Sequence, residues 1–253
     1  MNSLFVAWRP ATPETAGWRP VGRLEHDGQL YRFSYTHGAR KPGFRPFPQM
    51  GQLDQIYESV DLFPLFANRL LSESRPEYED YLRWSGLDTE HRPDPIVVLG
   101  VTEGIRQTDA VEVFPCPTPD ESGCYFNKFF LHGIRWLPET AIERIGRLVE
   151  NEPLKLMLDL QNDHDPQAVA VRTVQERTQI GYVPRYMAQD VWHLVQQCDT
   201  DFIQLFVDRV NPDAPLQNRL LCRMHACWPD GFLPCNSEDF APIPNGVPAN
   251  CSG

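Results

Sequence analysis

No run of about 18 apolar residues occurs in this chain, so no transmembrane helix is expected. The opening, MNSLFVAWRPATPE, lacks a basic start followed by an apolar core, and no signal peptide is expected. Seven cysteines, an odd number, in a chain without a secretory pattern point to reduced thiols and a cytoplasmic location. Positive charge is scarce: 23 Lys and Arg stand against 34 Asp and Glu, a net charge of −11. That excludes the broad basic footprint of a generic nucleic-acid binder. Catalytic signatures are missing too. There is no G-x-S-x-G elbow, no P-loop, no H-E-x-x-H, and no kinase Gly-rich loop, H-x-D-x-x-x-x-N run or DFG-like triplet. A non-enzymatic protein without a cofactor is therefore expected.

What is present is an ordinary globular composition, 42% hydrophobic and 11% aromatic, long enough for one large or two modest domains. The charge is uneven. Residues 1–45 hold seven basic and three acidic residues, residues 46–127 five and fifteen, and residues 128–211 nine and twelve. Any nucleic-acid contact must be local, made by a few placed groups. Val21–Leu24 and Leu30–Tyr35 flank Asp27-Gly28 and predict a β-hairpin. A basic loop follows with Arg40, Lys41 and Arg45, which could extend a nucleic-acid path. Helical spacing appears at Leu62, Phe63, Phe66, Leu70 and Leu71, and again from Pro76 to Gly86. Two strands are expected at Ile96–Leu99 and Val111–Phe114. The Pro-rich stretch 115–119 is the best linker, so domains are expected at 1–118 and 119–227, each folding alone if cut near Thr118. Residues 228–253, rich in Pro, Asn and Ser, read as a surface tail.

The most informative stretch is Leu156–Tyr186. The alternation Leu156, Leu158, Leu160 predicts a half-buried strand. A loop Gln161-Asn162-Asp163-His164-Asp165-Pro166 follows, then a strand over Ala168–Val171. A third strand is Ile180-Gly181-Tyr182-Val183, after which Pro184 opens a helix. Upstream, Phe129-Phe130-Leu131-His132-Gly133-Ile134-Arg135-Trp136 reads as an aromatic-rich strand. Amphipathic helices are expected at Pro138–Val149, with a stripe of Ile142, Ile145, Leu148 and Val149, and at Met187–Cys198. Phe202–Val210 and Leu220–Cys227 close the region as strands.

The ordered pattern "strand, N-x-x-D-P-x-A-x-x-V, turn, I-G-Y-V-P-R", with the G-I-R-W upstream, resembles the HIRAN domain over roughly residues 126–211. That module is known from fork-remodelling SWI/SNF-type helicases and from stand-alone bacterial proteins. The resemblance implies a small β-barrel with inserted helices that recognises single-stranded DNA ends, especially a free 3′-hydroxyl. Arg135 and Trp136 would then stack a base and hold its phosphate. The alternative is that Trp136 caps the barrel as a core residue. Asp165 would accept the 3′-hydroxyl, since an ionised carboxylate is acceptor-only. His164 stands where the helicase modules have a second stacking aromatic, and imidazole stacks over less area. Tyr182 and Arg185 would seat phosphates, Arg185 with the free N–H groups of a helix start; the alternative is a solvated Arg. Asn162 reads as a loop-holding Asx residue, and Gly181 as backbone crowding.

The order "G-R-L … Y-R-F-S-Y … F-P-L-F-A-N-R-L-L … P-I-V-V-L-G-V-T-E-G … D-A-V-E-V-F-P" is similar to the N-terminal subdomain of HipA-type toxin kinases. It implies a docking module without the enzyme. An adaptor or antitoxin-like regulator, with a protein partner on the N-terminal domain, is therefore the alternative function. Cys222, His225, Cys227 and Cys235 have irregular spacing for zinc, and Cys222 and Cys227 point to opposite faces of a strand, so apolar packing is favoured. Glu152, Asp159, Asp163 and Asp165 could mimic a nuclease cluster, but no catalytic Lys is placed among them. The expected fold class is α+β in two domains, an N-terminal mixed domain and a C-terminal small barrel.

Overall fold

A computed structural model describes residues 2–9, 18–106, 108–243 and 248–250. In chain order the N-terminal elements are β1 (Asn2–Trp8), β2 (Arg19–His26), β3 (Tyr31–Tyr35), β4 (Ile56–Ser59), α1 (Pro64–Ala67), α2 (Tyr78–Trp84), α3 (Pro95–Thr102) and β5 (Val111–Pro115). There follow β6 (Tyr125–Phe130), α4 (Glu139–Gly146), β7 (Pro153–Leu158), β8 (Val169–Thr173), β9 (Gln179–Tyr182) and α5 (Arg185–Gln197). The last elements are β10 (Gln204–Val210), β11 (Leu220–Ala226) and β12 (Pro248–Asn250).

The chain divides into two compact units, but not as two consecutive stretches. One comprises Met1–Tyr78, Arg92–Cys116 and Cys235–Gly253; the other comprises Glu79–His91 and Pro117–Pro234.

The first unit is a six-stranded sheet in the order β12-β4-β3-β2-β1-β5. The hairpin forms as its turn chemistry dictates: Asp27 Oδ1 accepts from the backbone N–H of Gln29 and Leu30, both at 2.9 Å. Inward residues of β1, β2 and β3, among them Val6, Leu24, Phe33 and Tyr35, pack with Phe66 of α1 and Leu99 of α3. The expected strand over Ile96–Leu99 is instead helical. Asp94 caps α3 by accepting from the Ile96 N–H at 2.9 Å, and Pro95 takes the first helical position. Ile96, Val98 and Leu99 are all buried, so their apolar run carries no period to separate helix from strand. The C-terminal stretch is not a surface tail where it is described. Phe240 packs edge-on against Phe5 with centroids 4.8 Å apart, Ile243 is buried, and β12 pairs in parallel with β4. Residues 244–247 and 251–253 of that stretch lie outside the described residues.

The second unit is a curled six-stranded sheet, β6-β11-β10-β7-β8-β9. Its edges meet through one bridge, His132 with Tyr182, whose two backbone hydrogen bonds are both 2.9 Å. Leu154, Val171, Leu205, Val207, Cys222, Met224 and Phe129 alternate onto the buried inner face. On α5, Met187, Val191 and Leu194 are buried. Helix α4 ends at Gly146, sooner than expected, which leaves Val149 exposed. Residues 79–91 belong to this unit. Asn211 Nδ2 donates to the Trp84 carbonyl at 3.0 Å, and Arg83 pairs with Asp213 at 2.8 Å. A cut near Thr118 would therefore strand residues 79–91 on the wrong fragment.

The reduced state expected for all cysteines is corrected at one pair. Cys198, at the end of α5, is disulfide-bonded to Cys227, just past β11, with Cα atoms 6.2 Å apart. Cys222 is buried as expected, and burial pushes its thiol well above the ordinary range.

Candidate nucleic-acid interface

Four segments of the second unit supply the expected site residues. After β6 the chain does not continue as a strand to Trp136. Gly133 adopts a left-handed conformation, φ 77°, and Ile134–Trp136 form a single 3-10 turn. The Ile134 side chain is buried and anchors the turn, while Arg135 and Trp136 face outward. Trp136 is 78% exposed, so the reading that places it in the core is excluded. The Arg135 guanidinium lies over its ring, 4.6 Å from the centroid. The His132–Tyr182 bridge brings this turn beside β9. There Gly181 is required by crowding, since a Cβ would lie 2.9 Å from the His132 carbonyl oxygen.

The β7–β8 loop is held by its own side chains. Asn162 Oδ1 accepts from the backbone N–H of His164 and Asp165, each at 3.0 Å, as the loop-holding reading requires. Asn162 Nδ2 donates to Asp159 Oδ2 at 2.9 Å, and the Tyr182 hydroxyl donates to the same oxygen at 3.0 Å. Asp165 Oδ1 accepts from the Gln167 N–H at 3.0 Å and Asp165 Oδ2 from Arg185 Nε at 3.0 Å. Arg185 Nη2 also donates to the His164 carbonyl. Arg185 is the first residue of α5, as expected; its side chain is 33% exposed and is paired with Asp165. His164 is exposed.

Thus Arg135, Trp136, His164, Asp165, Tyr182 and Arg185 sit on segments linked by the bridge and the loop hydrogen bonds. Arg40, Lys41 and Arg45 belong to the other unit. There Lys41 is already paired with Asp239, while Arg40 and Arg45 are exposed. One residue takes a role that sequence reasoning missed, and one expected burial fails. Asp159 ties Tyr182 to the loop. Leu160, expected to face inward, follows the end of β7 and is 72% exposed. The nuclease-like carboxylates are dispersed into separate bonds, Glu152 to Arg144, Asp159 to Asn162 and Tyr182, Asp165 to Arg185. Among the described residues no group of three His, Cys, Asp or Glu gathers to hold a metal.

The Asn162 amide, with the Tyr182 hydroxyl, holds the Asp159 carboxyl below its ordinary value of 3.8. A folded-state value below the unfolded one means the contribution is complete above pH 3.8 and lost as the pH falls through the lower folded value. Melts at pH 5 and pH 3 check this. The acid-induced drop is expected to be smaller in Asp159→Asn than in the wild type.

Residues 125–225 match the family model of the HIRAN domain. The matched HIRAN region spans β6 to β11, so it contains the curled sheet, α4 and α5 and every site residue of the second unit. A protein from Lactobacillus plantarum is similar at 17% identity, covering 41% of this chain and 99% of that one, with a TM-score of 0.31. The HIRAN domain of human HLTF is similar at 17% identity, covering 42% of this chain and 78% of that one, with a TM-score of 0.28. No curated protein matches the chain.

Proposed function

We propose that this protein binds the 3′ end of single-stranded DNA through its HIRAN region, without catalysis. The observation that carries the reading is Trp136. Its indole is 78% exposed on a turn whose apolar anchor is the neighbouring Ile134, so the ring is free to meet a ligand without disturbing the core. With Arg135 against it, the ring offers a flat face for an unpaired base and a cation for its phosphate. Asp165 adds an acceptor. Each of its oxygens takes one protein donor, and a carboxylate has about four lone-pair sites, which leaves capacity for a terminal hydroxyl. The Asp165–Arg185 pair supports this role, because the guanidinium holds the carboxylate in place at 3.0 Å.

Trp136→Ala is expected to weaken single-strand binding by about 1–3 kcal/mol, the range for a base platform. Stability should change by no more than about 0.5 kcal/mol, as at other exposed sites. Anisotropy titration and melting on the same preparation check both. Unchanged affinity would remove the base platform, and with it the reading.

A further inference from the structure

We propose that the outer face of the curled sheet carries a second nucleic-acid surface, along which the strand runs away from the seated end. This rests on the end-binding reading for its direction, but its own observations are separate. The inner face of the sheet is apolar, whereas the outer face alternates rings and cations. Register places Lys128 of β6 opposite Arg223 of β11, and Arg223 opposite Phe206 of β10. Phe126 lies on the same face of β6, 36% exposed. The Arg223 guanidinium sits over the Phe206 ring at 5.3 Å from its centroid. Beyond β10, Lys155 of β7 is opposite Arg172 of β8.

Two features of this row call for an anion. Lys128 and Arg223 share one carboxylate, Asp208, at 3.0 and 3.5 Å, so two cations are balanced by one anion. Lys155 and Arg172 are like charges directly opposite on neighbouring strands, an arrangement that costs stability unless an anion bridges it. In a chain of net charge −11 such a concentration is local and specific. A protein partner with acidic side chains would satisfy the cations but would leave the exposed Phe126 ring and the Arg223-covered Phe206 ring without a stacking partner. A single strand supplies both, phosphates for the cations and bases for the rings. The row crosses five strands, about 19 Å at the usual spacing, room for several nucleotides. It then meets the end site, because Met157, Ala170 and Tyr182 follow in register across β7, β8 and β9.

The test uses the whole chain and oligothymidylates with a free 3′-hydroxyl. A dodecanucleotide is expected to bind at least about tenfold more tightly than a trinucleotide, one further stacked base being enough for that. A Lys155→Gln, Arg223→Gln double variant should keep the trinucleotide affinity and lose the gain with length. Its salt slope should fall by about 1.4, the loss of two single-strand phosphate contacts. Lys155→Gln alone, at an exposed position, should lose part of the gain without any loss of stability, and relief of the Lys155–Arg172 repulsion should if anything raise the melting temperature slightly. Equal affinity for the two lengths, or a double variant that keeps the length gain, overturns the proposal. If 3′-phosphorylated strands bind as well as 3′-hydroxyl ones while the length gain still depends on these residues, the end seat fails and this surface stands. If the end discriminates but length does not matter, the surface fails and the end seat stands.

Discussion

A single strand ending in a 3′-phosphate is expected to bind roughly 30–100-fold more weakly than the same strand ending in a 3′-hydroxyl, a difference of about 2–3 kcal/mol. The effect comes from Asp165. Its carboxylate is half-buried and already accepts from the Gln167 N–H and Arg185 Nε, which leaves lone pairs but no proton to offer. A hydroxyl donates to it. A phosphate brings negative charge against it and removes the donor. Arg185 limits the penalty, because its guanidinium can turn part of its charge to the phosphate. Asp165→Asn should narrow the difference, since an amide can donate to a phosphate oxygen. Anisotropy with one labelled sequence carrying either end, on wild type and variant, measures both. Equal affinities for the two ends would exclude Asp165 as the hydroxyl acceptor.

Reducing the Cys198–Cys227 bond is expected to lower stability by about 3–4 kcal/mol in the chain-entropy picture, given a sequence separation of 29. The bond joins the end of α5 to the residue after β11, the last strand of the second unit's sheet. Without it the unfolded chain regains the freedom of that loop. Denaturant unfolding with and without reductant measures the difference, and Cys227→Ser should reproduce the reduced value. A digest of the unreduced protein, alkylated while denatured, should yield a peptide pair joined through Cys198 and Cys227. Both cysteines alkylated instead would restore the reduced state that the cysteine count alone implies. The bond lies at the far end of α5 from Arg185, so single-strand binding should survive reduction below the melting temperature.

Several parts of this protein are legible along the chain because their causes are local. The Asp27-Gly28 hairpin follows from an Asx turn between two alternating runs. The order β7, loop, β8, β9, α5 follows from period-two alternation, an Asn-Asp loop and Pro184 before a helix. Asn162 as a loop holder and Gly181 as a crowded position were readable for the same reason. Where the local signal is degenerate, reading fails. Ile96–Leu99 is apolar at every position, and only the Asp94-Pro95 cap distinguishes α3 from a strand.

By itself the sequence determined the hairpin, the run of elements in the HIRAN region and the identity of the residues on its candidate site. Tertiary structure alone decided what those residues contact. Whether Trp136 is core or surface depends on the left-handed Gly133, which converts an expected strand end into a turn that faces solvent. The Asp165–Arg185 pair spans twenty residues, the Cys198–Cys227 bond twenty-nine, and Tyr182 meets Asp159 only because β8 pairs with both β7 and β9. The division into units, with residues 79–91 and 235–243 crossing the expected boundaries, has the same origin. Periodicity and capping report interactions between near neighbours in the chain. Pairings over tens of residues are set by which packed arrangement buries the apolar faces and satisfies the polar groups together, and no window along the chain contains that condition.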